Sequence, residues 1–469
     1  MKLHPGHKRE SLILVAVYII TISHWAHAAR GEGGEPRYFA ITNARIIPVS
    51  GLPINNGTIV IAKGLIQAVG QSAPIPPEAW VIDGTGLTIY PGLIDAGTDL
   101  GLPKPEEPAG ATHGRKPTVP SEIAAGPEDR PATTPWRVAA DELKIDDKRI
   151  ASWRNAGFTS ALTLPEGGIF PGQGTLINLA GERSGDFVVK PTAALLVSLK
   201  PIGGFFSFPG SLMGTIAYVR QVFIDANWFA QAQPVYDANF TKFDRLTYDR
   251  TERLINNSLR ANEVVLLPAN TSVQILRAMK LADEWKISPI LQGGYEGYSV
   301  AEILAAKKAL VLVSLKWPER SKDADPEAEQ TLHDLRVRDF APSTPAALAK
   351  AGVKFAFYSD GLATPKDIFK KLRKAMDAGL TPDAALRAFT LDAADILGVS
   401  DRMGSLEPGK IANVIVADGE IFNEKTKLKH VFIDGRWFEV HEEPPPDKPE
   451  EKKPERQSDF PEAVGAATR

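Results

Sequence analysis

The chain contains no cysteine. That excludes disulfides, thiolate metal ligands and an amino-terminal lipid carried on cysteine. An oxidising compartment permits disulfides without demanding them, and a core of the size that 469 residues can build supplies stability without them. Histidine is scarce as well. Of the eight in the chain, His4, His7, His24 and His27 fall within the first 28 residues, leaving His113, His333, His430 and His441 for the rest. These four are too scattered in sequence to suggest a clustered imidazole site. Charge of one sign is also lacking. The formal net charge is -3, and no basic stripe is interleaved with aromatics, so nucleic acid is not an expected partner.

Long apolar runs are missing except near the start. Lys2, Lys8 and Arg9 precede the run Ser11 to Ile22, which ends at Ala26-His27-Ala28. A basic start, a short apolar stretch and an Ala-x-Ala site read as a signal peptide over residues 1–28. The run is shorter than the roughly 20 residues an ordinary spanning helix needs, although an uncleaved anchor is the alternative. The expectation is an exported protein, periplasmic or extracellular, whose only membrane contact is through this leader.

What is present is an ordered alternation. From Tyr38 to Tyr90 short strands alternate with tight turns. Asn56-Gly57, Lys63-Gly64 and the glycines at 84 and 86 supply the turn chemistry. The same pattern returns in Ala412–Val416, Leu428–Ile433 and Arg436–Val440, the last two joined through Asp434-Gly435. A lone hairpin is marginal in water, so both chain ends are expected to share one small β-sandwich, residues 38–91 plus 401–440. Between them lie eight strand candidates, at 92–95, 158–164, 176–179, 193–199, 264–267, 289–291, 310–315 and 354–358. Several are apolar throughout, as strands buried on both faces are. Helix signals stand late in the chain, with a Thr cap followed by Pro and an acid at Thr364-Pro365-Lys366-Asp367 and at Thr381-Pro382-Asp383. The expected fold is α/β: a (β/α)8 TIM-like barrel over residues 92–400, inserted in the sandwich. Residues 104 to about 134 and the tail 441–469 are rich in proline and charge and read as disordered.

Two passages carry a resemblance to a known family. They are Ile82-Asp83-Gly84-Thr85-Gly86 through Pro91-Gly92-Leu93-Ile94-Asp95-Ala96, and Gly404-Ser405-Leu406-Glu407-Pro408-Gly409-Lys410-Ile411-Ala412-Asn413. With Thr381–Leu386, they resemble the amidohydrolase superfamily. Leu212-Met213-Gly214 and Val219-Arg220-Gln221 echo its imidazolonepropionase-like branch more weakly. The resemblance implies one or two divalent metals that activate water against a carbon–nitrogen bond. The usual ligands are His-x-His after strand one, a carboxylate or carbamylated lysine on strand four, histidines after strands five and six, and an aspartate after strand eight.

Carried over residue by residue, that pattern breaks. Gly97-Thr98-Asp99 occupies the His-x-His place, Pro268 the strand-five histidine, and Gln292-Gly293-Gly294 the strand-six region. Lys200 sits near strand four without a secure match. Asp360 alone remains, after strand eight. Asp99 and Asp360 are the candidates for a weakly bound divalent metal, but no cofactor is expected. Asp360 is the first catalytic candidate. Glu166, Glu296 and Lys316 follow predicted strand ends and are further ones. The competing readings are a helix cap or packed remnant for Asp360 and ordinary solvated loop charge for the others.

Three functions stay open. One is a noncatalytic or strongly altered protein, a pseudoenzyme, that binds a small molecule or a partner at the barrel mouth. The second is a divergent hydrolase of carbon–nitrogen bonds in cyclic amides or dipeptides. The third is a subunit supporting a catalytic relative of like fold, with the aromatic stretch Ile202–Phe208 as the docking candidate and a buried substrate channel as the other reading of that stretch.

Overall fold

The computed structural model describes residues 38–440, apart from 104–129, 131, 203–208, 261–263, 321, 322, 324, 326 and 328. The expected leader, the tail, His113, His441 and most of the Ile202–Phe208 stretch therefore lie outside the described residues.

Two eight-stranded sheets organise the chain. The first takes β1 (Phe39–Ile46), β2 (Ile54–Ala62), β3 (Leu65–Gly70), β4 (Trp80–Asp83) and β5 (Thr88–Pro91) from one end of the chain. From the other it takes β14 (Val414–Ala417), β15 (Leu428–Ile433) and β16 (Arg436–Glu439). Its order is β16-β15-β14-β5-β1-β2-β3, with β4 also on β1. The ends meet where β14 runs antiparallel to β5, Val414 opposite Pro91 and Ala417 opposite Thr88. The β3 end folds round to the segment before β14, with Ile66 N–H donating to the Lys410 carbonyl and Ala412 N–H to that of Gly64. Inside the curl, Phe39, Ile59, Ile89, Val414 and Phe432 form one buried cluster.

The turn residues behave as their chemistry requires, with one exception. Lys63-Gly64 and Asp434-Gly435 have paired positive φ values (52° and 79°, 53° and 72°) and close the β2–β3 and β15–β16 hairpins. Asn56-Gly57, expected to be a turn, instead lies inside β2. Asn56 has φ 51°, and Gly57 faces Ala44 across an irregularity in the β1–β2 register. The positive φ serves a bulge there, and a Cβ on Gly57 would come within 2.6 Å of Ile46.

The second sheet is the barrel: β6 (Leu93–Thr98), β7 (Phe158–Thr163), β8 (Gln173–Asn178), β9 (Val188–Leu196), β10 (Val264–Ala269), β11 (Pro289–Gly293), β12 (Leu310–Ser314) and β13 (Phe355–Tyr358), neighbours in that order. All eight expected strands are present. β8 is the exception in direction, running antiparallel to β7 and to β9, while the other neighbours are parallel. β10 shows how the strands are buried on both faces. Val265, Leu267 and Ala269 point into the layer shared with the helices, whereas Leu266 points into the barrel. The inner cluster joins Ile94, Leu196, Leu266, Ile290 and Leu312 to Ala393, Ile396 and Met403, so the segment after the last barrel helix plugs the lower end.

The caps are as the sequence signals them. Thr364 Oγ1 accepts from Asp367 N–H and opens the helix Pro365–Asp377. Thr381 Oγ1 accepts from Ala384 N–H and opens Pro382–Phe389. The end of the stretch that reads as disordered is corrected. Arg130 and Ala132–Thr134 are well packed, and Thr133 Oγ1 lies 2.6 Å from the Tyr218 hydroxyl. Arg130 is the anchor. Its guanidinium meets Asp225, Asp249 and Glu252 at 3.2, 2.8 and 3.0 Å, tying the helix Leu212–Ala238 to Arg250–Arg260.

Candidate functional site

In a parallel barrel the carboxyl ends of the strands make the mouth. Here β6 ends in Gly97-Thr98-Asp99, β10 in Pro268-Ala269, β11 in Gln292-Gly293, β12 in Ser314 and β13 in Tyr358 followed by Asp360. Ser314 is the polar hub. Its hydroxyl donates to Asp360 Oδ2 at 2.8 Å, accepts from the Lys316 backbone N–H at 3.0 Å and lies 3.4 Å from the Tyr295 hydroxyl. Tyr295 donates to the Lys316 carbonyl at 2.9 Å. Asp360 is half-buried and holds φ 51°, a conformation uncommon for a residue with a side chain. Among the described residues its carboxylate forms no ion pair. Burial, aided by the negative charge of Asp360, pushes the Tyr358 phenol well above the usual tyrosine range. Burial likewise raises Tyr295. Both are neutral hydroxyls around the carboxylate at any ordinary pH.

One floor below, Asp95 is fully buried and closes the barrel. β6 and β13 share no ladder of backbone bonds, yet Asp95 Oδ1 accepts from Ser359 N–H at 2.9 Å and Gly97 N–H at 3.3 Å. Its Oδ2 accepts from the Trp153 indole at 3.3 Å. Burial pushes its pKa up to about 6, against the lowering effect of these hydrogen bonds. Sequence reading passed over Asp95 as a site residue, although it lies inside the recognised Pro91–Ala96 passage.

The other candidates disperse. Glu166 and Lys316 are exposed, and among the described residues neither side chain forms a hydrogen bond or an ion pair. Glu296 is buried, and its Oε2 accepts from Ser272 N–H at 2.8 Å, satisfying the start of the helix Ser272–Trp285. Its Oε1 stands 3.3 Å from His333 Nε2, too poorly aligned for a hydrogen bond. Asp99 is tied to Arg149 at 2.7 Å. Lys200 is exposed. Of these candidates only the Asp360 side chain joins the polar cluster around Ser314.

Whether these residues fit the metal implied by the resemblance is decided at Gly97. A Cβ there would stand 3.1 Å from Tyr358 Cδ2 and 3.3 Å from Leu164 Cδ1, so the position carries no donor and any side chain on it would press against the Tyr358 ring. Pro268 has no side-chain donor, Asp99 is neutralised by Arg149, and one Asp360 oxygen is taken by Ser314. Among the described residues no group of three or more His, Asp or Glu is arranged to hold an ion. The residues do not fit the group.

The comparisons match this architecture. An amidohydrolase from Thermotoga maritima MSB8 superimposes with a TM-score of 0.69 at 25% identity, covering 86% of this chain and all of that one. A model of the amidohydrolase family matches residues 292–438. This chain has the amidohydrolase fold. Amidohydrolase tasK of Hapsidospora irregularis is 22% identical over 410 residues, which is 81% of this chain. The match spans only 39% of that relative's length. An imidazolonepropionase of Idiomarina loihiensis is 49% identical over 49 residues, 10% of this chain and 12% of that protein. The amidohydrolase fold is therefore shared along most of the chain, whereas the likeness to the imidazolonepropionase is local.

Proposed function

We propose that this is an exported amidohydrolase-fold protein that binds a small molecule at the barrel mouth without the metal chemistry of its relatives. The replacement of the expected ligands by Gly97 and Pro268, with the Tyr358 ring packed against Gly97, carries the reading. In place of imidazoles the mouth offers one half-buried carboxylate, Asp360, backed by the Ser314 hydroxyl with Tyr295 beside it. A carboxylate with hydroxyl neighbours and no cationic partner suits a ligand that brings its own positive charge or N–H donors, such as an amine or a small amide. Export is supported by the basic start, the apolar run and the Ala26-His27-Ala28 site. Placement in the imidazolonepropionase-like branch rests on the short matched stretch and the Met213-Gly214 echo.

The test is elemental analysis of the purified protein, followed by melting with and without chelator. The expected result is far less than one zinc per chain and an unchanged melting temperature, since linkage stabilisation requires a ligand on the native state. A panel of small amines and amides should then contain compounds that raise the melting temperature of the wild type and not of Asp360→Asn. Stoichiometric zinc, with hydrolysis abolished by chelator and restored by metal, would overturn the proposal in favour of the hydrolase.

A further inference from the structure

The helix Leu212–Ala238 is apolar on two opposite sides. One side, through Val219, Val222, Phe223 and Ala226, is buried in the main core, where the Phe223 ring stacks on Trp285 at 4.3 Å. On the other side Ala217, Gln221, Ile224, Trp228, Gln231, Val235 and Ala238 are all exposed. Their spacing alternates four and three, which is the a/d seam of a two-helix coil. Scattered surface hydrophobes need no explanation, but a continuous uncharged stripe does. Ile224, Trp228 and Val235 expose 56%, 57% and 52% of their area. The charges that flank the stripe are held within the chain, Arg220 on Glu284 at 2.9 Å and Asp225 on Arg130 at 3.2 Å.

We propose that the stripe is a homodimer interface, in which this helix packs antiparallel against the same helix of a second copy. The pattern is complementary to its own reversal. In an antiparallel pair each a position faces a d position. With the two-fold axis beside Ala226, Ile224 faces Trp228 of the partner subunit, and Gln221 faces Gln231 of the partner subunit. Ala217 faces Val235 of the partner subunit. Large meets medium, amide meets amide, and small meets small. A parallel pair would instead oppose two Trp228 rings at one level. In the antiparallel register the two Asp225 side chains flank the seam on the same side, each already paired with the Arg130 of its own chain. Covering the seven stripe residues on both copies removes on the order of 1,000 Å2 from water, the lower end of the range for a specific interface.

The absence of cysteine makes the test clean. Sedimentation velocity of the full chain at micromolar concentration should show a dimer, and Trp228→Glu should show a monomer that melts at the parental temperature. Gln221→Cys with Gln231→Cys in one chain should give a covalent dimer on oxidation, whereas neither cysteine alone should. A wild type that sediments as a monomer overturns the proposal. So does a Trp228→Glu dimer, or a covalent dimer from Gln221→Cys alone. Flotation of a monomeric wild type with phosphatidylcholine–phosphatidylglycerol vesicles would overturn it in favour of a membrane surface.

Discussion

The junctions between the two sheets and the mouth of the barrel have met opposite fates. At the junctions the recognised passages are intact and bonded to each other. Gly92 N–H donates to the Asn413 carbonyl at 2.9 Å, and the Asn413 amide donates to Ser160 Oγ at 3.0 Å and Asn178 Oδ1 at 2.9 Å. Its own Oδ1 accepts from Asp434 N–H. One buried side chain thus ties β7, β8 and the β15–β16 hairpin to the entry of β6. At the mouth, Glu166, Lys200 and Lys316 are exposed, and the places of the expected ligands are held by glycine and proline. Architecture is recorded in packing that tolerates no exchange. A mouth whose described residues do not fit a metal is constrained only by its neighbours' shapes.

The sharpest break of this contrast is at the junction. A Cβ on Gly92 would lie 2.0 Å from Thr159 Oγ1, so Gly92→Val should abolish cooperative folding, as read by loss of a thermal transition. Asn413→Ala leaves several buried partners unsatisfied and should cost about 3 kcal/mol in denaturant unfolding. A cost under about 1 kcal/mol would show that the junctions are not the constraint they look to be.

Asp95 comes next, between the two regions. Its folded pKa of about 6 lies above the ordinary 3.8, so the folded state favours the neutral acid. The stability this contributes is fully present below pH 4 and is lost as pH rises through 6. By linkage, wild type should lose up to about 3 kcal/mol more than Asp95→Asn between pH 4 and pH 7. Parallel stability curves for the two proteins would remove Asp95 as the titrating latch. A smaller effect tests the mouth as a unit. Gly97→Ala should destabilise, and Tyr358→Ser in the same chain should relieve part of the cost, with a coupling of at least about 0.5 kcal/mol. Strict additivity would mean the two residues do not share the space. Smallest of all, Glu166→Gln and Lys316→Gln should each shift stability by no more than about 0.5 kcal/mol, and ligand-induced melting shifts should stay as in wild type.

The same contrast explains what could be read in the sequence. Strands, caps and hairpins are encoded locally, so Thr364, Thr381, Lys63-Gly64 and Asp434-Gly435 announced themselves. The direction of β8 did not, because an apolar period of two is the same read either way. Asn56-Gly57 signalled a positive φ correctly, and only the partner strand could show that a bulge uses it. Arg130 sits among prolines and acids with no periodic neighbours, and its worth lies in three carboxylates about 95 to 122 residues away. The exchange between Gly97 and Tyr358 is likewise a property of two distant positions, visible from either one only as a missing histidine or an ordinary aromatic.

The sheet shared by both ends has a consequence in time. β5 is made early, but the strand that covers it, β14, lies more than 320 residues downstream, and the Tyr90 hydroxyl must wait for the carbonyl of Gly419. Until then the β5 edge, Thr88-Ile89-Tyr90-Pro91, has no neighbour on that side, a state prone to mispairing. Such remote closure is slow in any chain. Synthesis therefore leaves the first-built part of the molecule as the last to be finished, and the nascent protein is most vulnerable at the end it has carried longest.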